Sequence, residues 1–194
     1  MLNLLFALVA APLPSPWESI DVGTTRRGST TFQSGTFVST AGGRDVEGEN
    51  DEFRFTFQPL TGDVTLTAHV TSLFAPSEWA KAGLMIREGR GADAKNVFLA
   101  VTPAHGTLLQ KRPTAGWGTQ VRTFETPASS TWLRIRRVGD RVSAFRSEDG
   151  KNWILVGDPM IVSMGRTVDV GLAHTAHGDA LGTATFAEVE IAKG

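Results

Sequence analysis

Apolar residues alternate with polar residues along most of this chain, and turn residues separate the alternating segments. In the run Trp79–Glu88, the side chains of Ala82, Leu84 and Ile86 fall on one face. A period of two is that of a half-buried β-strand. Residues 51–57 likewise place three phenylalanines on one face. Both segments are therefore predicted to be strands.

The same alternation, or a short apolar run, predicts further strands, and no stretch of ten residues shows a helical period. These strands lie at residues 63–71, 97–103, 107–112, 131–137, 141–147, 153–156, 167–173 and 183–191. The tight turn Leu60–Asp63 predicts a hairpin between the Phe-rich strand and the next strand, and Val138–Arg141 predicts a second hairpin. The pattern indicates an all-β fold, a two-sheet antiparallel jelly-roll sandwich.

Two segments resemble a known family. The strand Lys81-Ala-Gly-Leu-Met-Ile-Arg87 and the turn Ser147-Glu-Asp-Gly-Lys-Asn-Trp153 are similar to bacterial jelly-roll domains of the "regulation of enolase" type, in the concanavalin A-like lectin/glucanase superfamily. The resemblance extends over residues 17–193. It implies an accessory module of exported polysaccharide-processing proteins, and hence contact with glycans. We interpret the Ser147–Trp153 turn as structural, because similar turns recur in unrelated β proteins.

Composition limits the function classes. The chain has 194 residues with 21 Gly and 9 Pro, which suits one β domain over residues 17–194. It has no cysteine, which excludes disulfides, thiolate zinc sites and cysteine nucleophiles. The formal net charge is -1, so no basic field favours nucleic acid as a partner.

The N-terminal segment predicts export. Residues 1–16 are interpreted as a signal peptide and a short lead segment, with an apolar run and a cleavage position after Ala11. The absence of Lys or Arg before Arg26 weakens the positively charged region of such a signal. The run is too short to span a bilayer, as is every later segment. We predict a secreted or periplasmic bacterial protein, or a cytoplasmic one if residues 1–11 pack on the domain instead.

Catalytic patterns are missing from the sequence. Glucanases of this superfamily place carboxylates as Glu-x-Asp-x-x-Glu on one strand, and that spacing does not occur here. His174 and His177 have opposite strand parity, so they are not expected to form a zinc pair. No Gly-x-Ser-x-Gly nucleophile turn is present. The sequence therefore predicts no enzyme, unless remote carboxylates such as Glu88, Asp51 and Glu49 converge in the fold.

The acidic loop before the Phe-rich strand has two interpretations. Asp45, Glu47, Glu49 and Asp51 supply hard oxygen ligands, which suit Ca²⁺. A solvated acidic loop is the other interpretation, and the usual behaviour of charged runs favours it. No other cofactor is predicted.

A ligand-binding patch is predicted from strand parity. Arg87 lies opposite the apolar face of its strand, and a glycine on each side lifts Trp117 from its loop. Sugar rings stack on aromatic side chains, and their hydroxyls bond to guanidinium and amide groups. The candidate residues are Arg87, Gln110, Arg112 and Trp117, with His177 and Trp79 from flanking loops. In the alternative interpretation, the Arg and Gln side chains merely solvate an exposed sheet face and Trp117 clips a loop.

These observations favour a non-catalytic, secreted, carbohydrate-binding module with a polysaccharide or other glycan as partner. A structural or protein-interaction module of an exported assembly is the alternative, and a glycan hydrolase is the third candidate. In the second case the same sheet face or an edge strand would bind a partner protein.

Overall fold

The computed structural model describes residues 12–125 and 131–194, and these residues form fifteen β-strands and no helix. The strands are β1 (Glu18–Val22), β2 (Ser29–Gln33), β3 (Thr36–Gly43), β4 (Phe53–Thr61), β5 (Val64–Phe74), β6 (Lys81–Arg87), β7 (Asn96–Val101), β8 (Thr107–Arg112), β9 (Gln120–Phe124), β10 (Thr131–Val138), β11 (Arg141–Ser147), β12 (Ile154–Leu155), β13 (Met160–Ile161), β14 (Thr167–Thr175) and β15 (Gly178–Lys193). The all-β prediction is confirmed.

The strands form two antiparallel sheets that pack face to face. Sheet A has the order β1-β4-β14-β6-β7-β8-β9. Sheet B has the order β12-β11-β10-β5-β15-β3-β2, and the short β13 also pairs with β11. Each sheet combines hairpins of consecutive strands with pairs of strands distant in sequence, as expected for a jelly-roll sandwich.

The main hydrophobic core lies between the sheets. Ala82, Leu84 and Ile86 of β6 are fully buried in it, together with Leu66 of β5 and Ile135 of β10. Burial of these apolar side chains is the main favourable contribution to folding. The predicted apolar face of β6 is therefore confirmed as a core face.

The predicted hairpin of β4 with β5 is wrong. β4 pairs with β1 and β14 in sheet A, whereas β5 pairs with β10 and β15 in sheet B. Gly62 adopts a φ of 91° between them, and its N–H donates to the carbonyl of Arg166 at 2.9 Å. The turn residues allow a sharp reversal, but here the chain uses it to pass from one sheet to the other.

The second predicted hairpin is confirmed. Val138 of β10 pairs with Arg141 of β11, and Gly139 between them has a φ of 57°. A two-residue hairpin turn requires such left-handed backbone, which glycine adopts without steric cost.

The Ser147–Trp153 turn has a structural role. The Asp149 carboxylate accepts the N–H groups of Lys151 and Asn152, each at 2.8 Å, and these bonds lower the pKa of Asp149. The guanidinium carbon of Arg134 lies 3.8 Å from the centre of the Trp153 ring, so the indole packs back on sheet B. This agrees with the interpretation made from the sequence.

The predicted leader, residues 1–11, lies outside the described residues. Within the described ranges, no helix has the length and apolar character needed to cross a membrane.

Candidate functional site

The face of sheet A that points away from sheet B carries a second cluster of buried side chains. Phe53, Phe55 and Phe57 of β4 cluster there with Met85 of β6 and Phe98 of β7, all fully buried. Loop residues such as Val46 and Ala92 belong to this cluster or pack against it. The outer face of sheet A is therefore partly covered by loops.

A buried ionic network lies beside this aromatic cluster. Antiparallel register places Arg87 of β6, Asn96 of β7 and Arg112 of β8 side by side. The Asp51 carboxylate lies between them, 2.6 Å from Arg87 Nη1 and 2.5 Å from Arg112 Nη2. Asn96 Nδ2 also donates to Asp51 Oδ2 at 3.3 Å. Desolvation of the guanidinium lowers the pKa of Arg87, although the charge of Asp51 opposes this effect.

The network corrects the predicted ligand patch. Arg87 and Arg112 point away from the core as strand parity predicts, but both are 0% exposed. Most of their donors are directed at protein atoms: Arg87 Nη2 donates to the carbonyl of Gly91, and Arg112 Nη2 donates to the carbonyl of Gly48 at 3.0 Å. Arg87 Nε is buried without a hydrogen-bond partner in the described residues. Neither guanidinium can touch a ligand in this conformation. Their function is to hold the covering loops on sheet A.

Trp117 is exposed but stands apart from the other candidates. Its side chain is 67% exposed at the end of a loop, and its carbonyl accepts Arg112 Nε at 2.9 Å. The indole does not line the pocket that contains other predicted residues. The exposed Trp117 indole therefore does not anchor its loop to the protein body, and it is not part of the pocket described next.

A pocket of about 430 Å³ opens on the uncovered part of the outer face of sheet A. We call it the Trp79 pocket. Its walls come from β6, β8, β9 and three loops, and its lining residues are Asp45, Glu47, Trp79, Lys81, Leu108, Gln110, Val121, Thr123 and His177. The structure thus brings together three of the six predicted ligand residues, Trp79, Gln110 and His177, with two residues of the acidic loop.

Gln110 contributes an amide to the wall of the Trp79 pocket. The side chain is 0% exposed, and Nε2 donates to the carbonyl of Val46 at 3.0 Å. Its Oε1 is buried and has no hydrogen-bond partner within the described residues. An unpaired buried acceptor costs about 1–3 kcal/mol. Oε1 is as inaccessible as the two guanidinium groups, so a ligand donor reaches it once neighbouring side chains of the pocket move aside, and its hydrogen bond then removes that cost.

Trp79 contributes an aromatic wall. Its ring stacks on His105 with 3.5 Å between ring centroids and 11° between planes. The backbone N–H of Trp79 donates to Ser77 Oγ at 3.2 Å, and this hydrogen bond fixes the loop between β5 and β6. The indole is half-buried and held on one side, so it is pre-organised for contact with an apolar ligand surface.

His177 links this loop to the acidic loop. Its Nδ1 lies 3.3 Å from Ser77 Oγ, and its Nε2 lies 3.2 Å from Asp45 Oδ2. Since an ionised carboxylate only accepts, the favoured neutral tautomer carries its proton on Nε2 and accepts from Ser77. His177 has a φ of 55°, a left-handed conformation that is strained for a non-glycine residue. Such outliers cluster at functional sites.

The Ser77, His177 and Asp45 side chains are the residue types of a hydrolase triad. In the serine-protease arrangement, however, the serine contacts Nε2 and the aspartate contacts Nδ1, which is the reverse of the contacts here. Ser77 Oγ also accepts a backbone N–H. The geometry favours a positioning role for these three side chains.

The negative charge of the acidic side chains in the pocket is partly compensated by Lys81. Lys81, which is buried, donates to Asp45 Oδ1 at 2.5 Å. Asp45 Oδ2 is buried and has no hydrogen-bond partner of good geometry in the described ranges. Glu47 is exposed at the rim, and its pKa is raised, first by partial burial and then by its hydrogen bond and repulsion with Asp45. The sequence suggests Asp45 and Glu47 as weak candidates for Ca²⁺ ligands in a loop that is more readily interpreted as solvated, and it does not identify Lys81 as a pocket residue.

Calcium is the less favoured of the two interpretations of the acidic loop, and the described residues give two of its four carboxylates cationic partners. The described residues contain no group of three or more His, Asp or Glu side chains placed to hold a metal ion. Asp51 is bound by two arginines, and Asp45 faces Lys81 and His177. Glu49 is exposed on the same loop.

The remote carboxylates named for a hydrolase do not converge. Glu88 lies 3.0 Å from Lys95 Nζ and accepts the N–H of Gly165, while Asp51 is enclosed in the buried network. Hydrogen bonding from Lys95 and Gly165 lowers the pKa of Glu88. These carboxylates have separate structural partners.

No protein-family model matches the sequence, and no curated protein matches it. The resemblance to "regulation of enolase"-type domains therefore stays a prediction. Solved structures do match. A functionally unknown protein from Saccharomyces cerevisiae is 18% identical with a TM-score of 0.69, over 86% of this chain and 92% of that chain.

Two further matches are bacterial. The carbohydrate-binding module CBM66 from Bacillus subtilis is 17% identical with a TM-score of 0.59, over 91% of this chain and 95% of that chain. The GH43 protein BlXynB from Bacillus licheniformis is 14% identical with a TM-score of 0.61, over 81% of this chain and 33% of that chain. This chain thus spans about a third of the GH43 protein. At these identities the matches show the fold alone, a two-sheet β-sandwich that this chain shares with a carbohydrate-binding module and with lectins.

Proposed function

We propose that this protein is a non-catalytic carbohydrate-binding module whose glycan ligand occupies the Trp79 pocket. The observation that carries the proposal is the unpartnered, fully buried Oε1 of Gln110 in a pocket wall that also contains an indole. Sugar hydroxyls are donors, and the C–H faces of sugar rings are apolar. A pyranose or furanose unit would satisfy both walls at once.

The pocket has a size and composition suited to such a unit. Its volume of about 430 Å³ lies within the usual range for small-ligand sites, and Leu108 and Val121 add apolar surface beside the polar groups. The fold shared with CBM66 and lectins supports the same ligand class. Export, predicted from residues 1–11, would place the module where polysaccharides occur.

A protein-interaction module is the second candidate function. It is favoured by exposed apolar side chains at the edge of sheet B, where Ile154, Leu155 and Ile161 are 53%, 46% and 61% exposed. Edge strands with apolar side chains are natural sites for pairing with another chain. This edge is separate from the Trp79 pocket, none of whose lining residues belongs to it.

A glycan array separates the two functions. We expect the full chain to bind a restricted set among plant, algal and bacterial polysaccharides, and to bind equally well in calcium and in chelator, because Asp45 and Asp51 are held by cationic side chains. Loss of binding in chelator would instead move the site to a calcium-bound acidic loop. Absence of binding to every polysaccharide on the array would contradict glycan binding and favour the interaction module.

A further inference from the structure

The buried polar atoms of the Trp79 pocket whose hydrogen bonding is incomplete are acceptors. Gln110 Oε1 is buried without a hydrogen-bond partner in the described residues, and the buried Asp45 Oδ2 has a poorly aligned contact with His177 Nε2 at 3.2 Å. The neighbouring donors are already directed at protein atoms, since Gln110 Nε2 bonds to Val46 and Lys81 Nζ bonds to Asp45. A complementary ligand must therefore present N–H or O–H groups to this wall.

The charge of the pocket limits the class of ligand further. Asp45 and Glu47 carry two negative charges against the single ammonium of Lys81, so one negative charge is in excess when His177 is neutral. The Lys81 side chain is only 3% exposed and its ammonium faces Asp45 at 2.5 Å, so Glu47 at the rim feels the charges of Lys81 and His177 without forming a direct ion pair with either. Partial burial and repulsion from Asp45 disfavour the ionised form of Glu47 and raise its pKa. A positive charge beside Glu47 would relieve that repulsion.

From these contacts we infer that the sugar unit in the Trp79 pocket carries a free amino group, as in a glucosamine polymer, with its ammonium paired to Glu47. This inference rests on the proposed glycan-binding function. The ring would lie against Trp79 while its amino group and hydroxyls donate to Glu47 and Gln110. Uronic acid and sulfated units would be repelled by the excess negative charge, and N-acetylation would remove the ammonium.

The test compares oligosaccharides of equal length and linkage. Isothermal titration calorimetry of the full chain would use β-1,4-linked glucosamine, N-acetylglucosamine and glucose oligomers. We expect the glucosamine oligomer to bind about tenfold or more tightly than the other two, since a hydrogen bond to a charged group contributes more than a neutral one. Added salt should reduce that preference.

Two matched variants locate the effect. Glu47→Gln removes the rim charge and keeps a similar shape, so the ratio of the affinities for the glucosamine and glucose oligomers should fall to about one. Glu49→Gln removes an exposed charge from the same loop outside the pocket lining and should keep the preference.

The outcomes separate this inference from the proposed function. Preference for the glucosamine oligomer that disappears in Glu47→Gln supports the inference. Equal or tighter binding of the neutral oligomers, or an unchanged preference in Glu47→Gln, overturns it and leaves glycan binding intact. Absence of binding to all three oligomers, together with silence on the array, overturns both.

Discussion

Replacing Asp51 by asparagine is expected to lower the free energy of unfolding by about 3–5 kcal/mol. The Asp51 carboxylate is the acidic partner of Arg87 and Arg112, and all three side chains are 0% exposed. Asparagine has nearly the same shape but no charge. Two guanidinium groups would then remain buried without a counter-ion, which is the most costly way to break a buried ion pair.

Denaturation in urea, followed by circular dichroism, measures this effect. Glu49→Gln is the matched control, because Glu49 lies two residues away and is exposed. Its free energy of unfolding should stay within about 0.5 kcal/mol of the native value. If Asp51→Asn also loses less than about 1 kcal/mol, the network does not stabilise the loops that cover sheet A.

Acidification should destabilise the protein through His174. Burial lowers the pKa of His174 from its usual 6.5 to about 4, and its ring contacts Ser39 Oγ at 3.2 Å in the interior. Below pH 6.5 the unfolded chain binds a proton that the folded chain excludes until about pH 4. As the pH decreases from 6.5 to about 4, the free energy of unfolding therefore decreases, and His174 accounts for about 3 kcal/mol of that decrease.

The comparison of His174→Asn with the native protein isolates this contribution, since other titrating groups are common to both. Unfolding free energies measured between pH 7 and pH 4 should fall less steeply for the variant. Identical slopes for His174→Asn and the native protein would show that the buried ring is not neutral as described.

Much of the fold could be predicted from local patterns. The parity of β6 correctly placed Ala82, Leu84 and Ile86 in the core, and the Gly139 turn correctly predicted a hairpin. The placement of β4 in sheet A and β5 in sheet B could not be predicted in this way. A turn such as Leu60–Asp63 reverses the chain in the same manner within one sheet or between two, and only the packing of distant strands decides between them.

Only part of the site could be predicted, for a related reason. Parity correctly directed Arg87, Gln110 and Arg112 away from the core, but it carries no information on what covers a sheet face. The acidic loop covers it, and Asp51 is the counter-ion of the two arginines. Two arginines on the outward faces of strands, together with an acidic loop elsewhere in the chain, were the available signal, because buried guanidinium groups require a carboxylate.

The most direct test of the account compares two tryptophans. Titration of the native protein, Trp79→Ala and Trp117→Ala with the polysaccharide selected on the array reports whether the Trp79 pocket binds it. We expect Trp79→Ala to weaken binding about tenfold or more, because a central aromatic contact is lost. Trp117→Ala should bind as the native protein does, because its exposed indole stands outside the pocket. The reverse result, loss in Trp117→Ala with native binding in Trp79→Ala, would contradict the assignment of the ligand to this pocket.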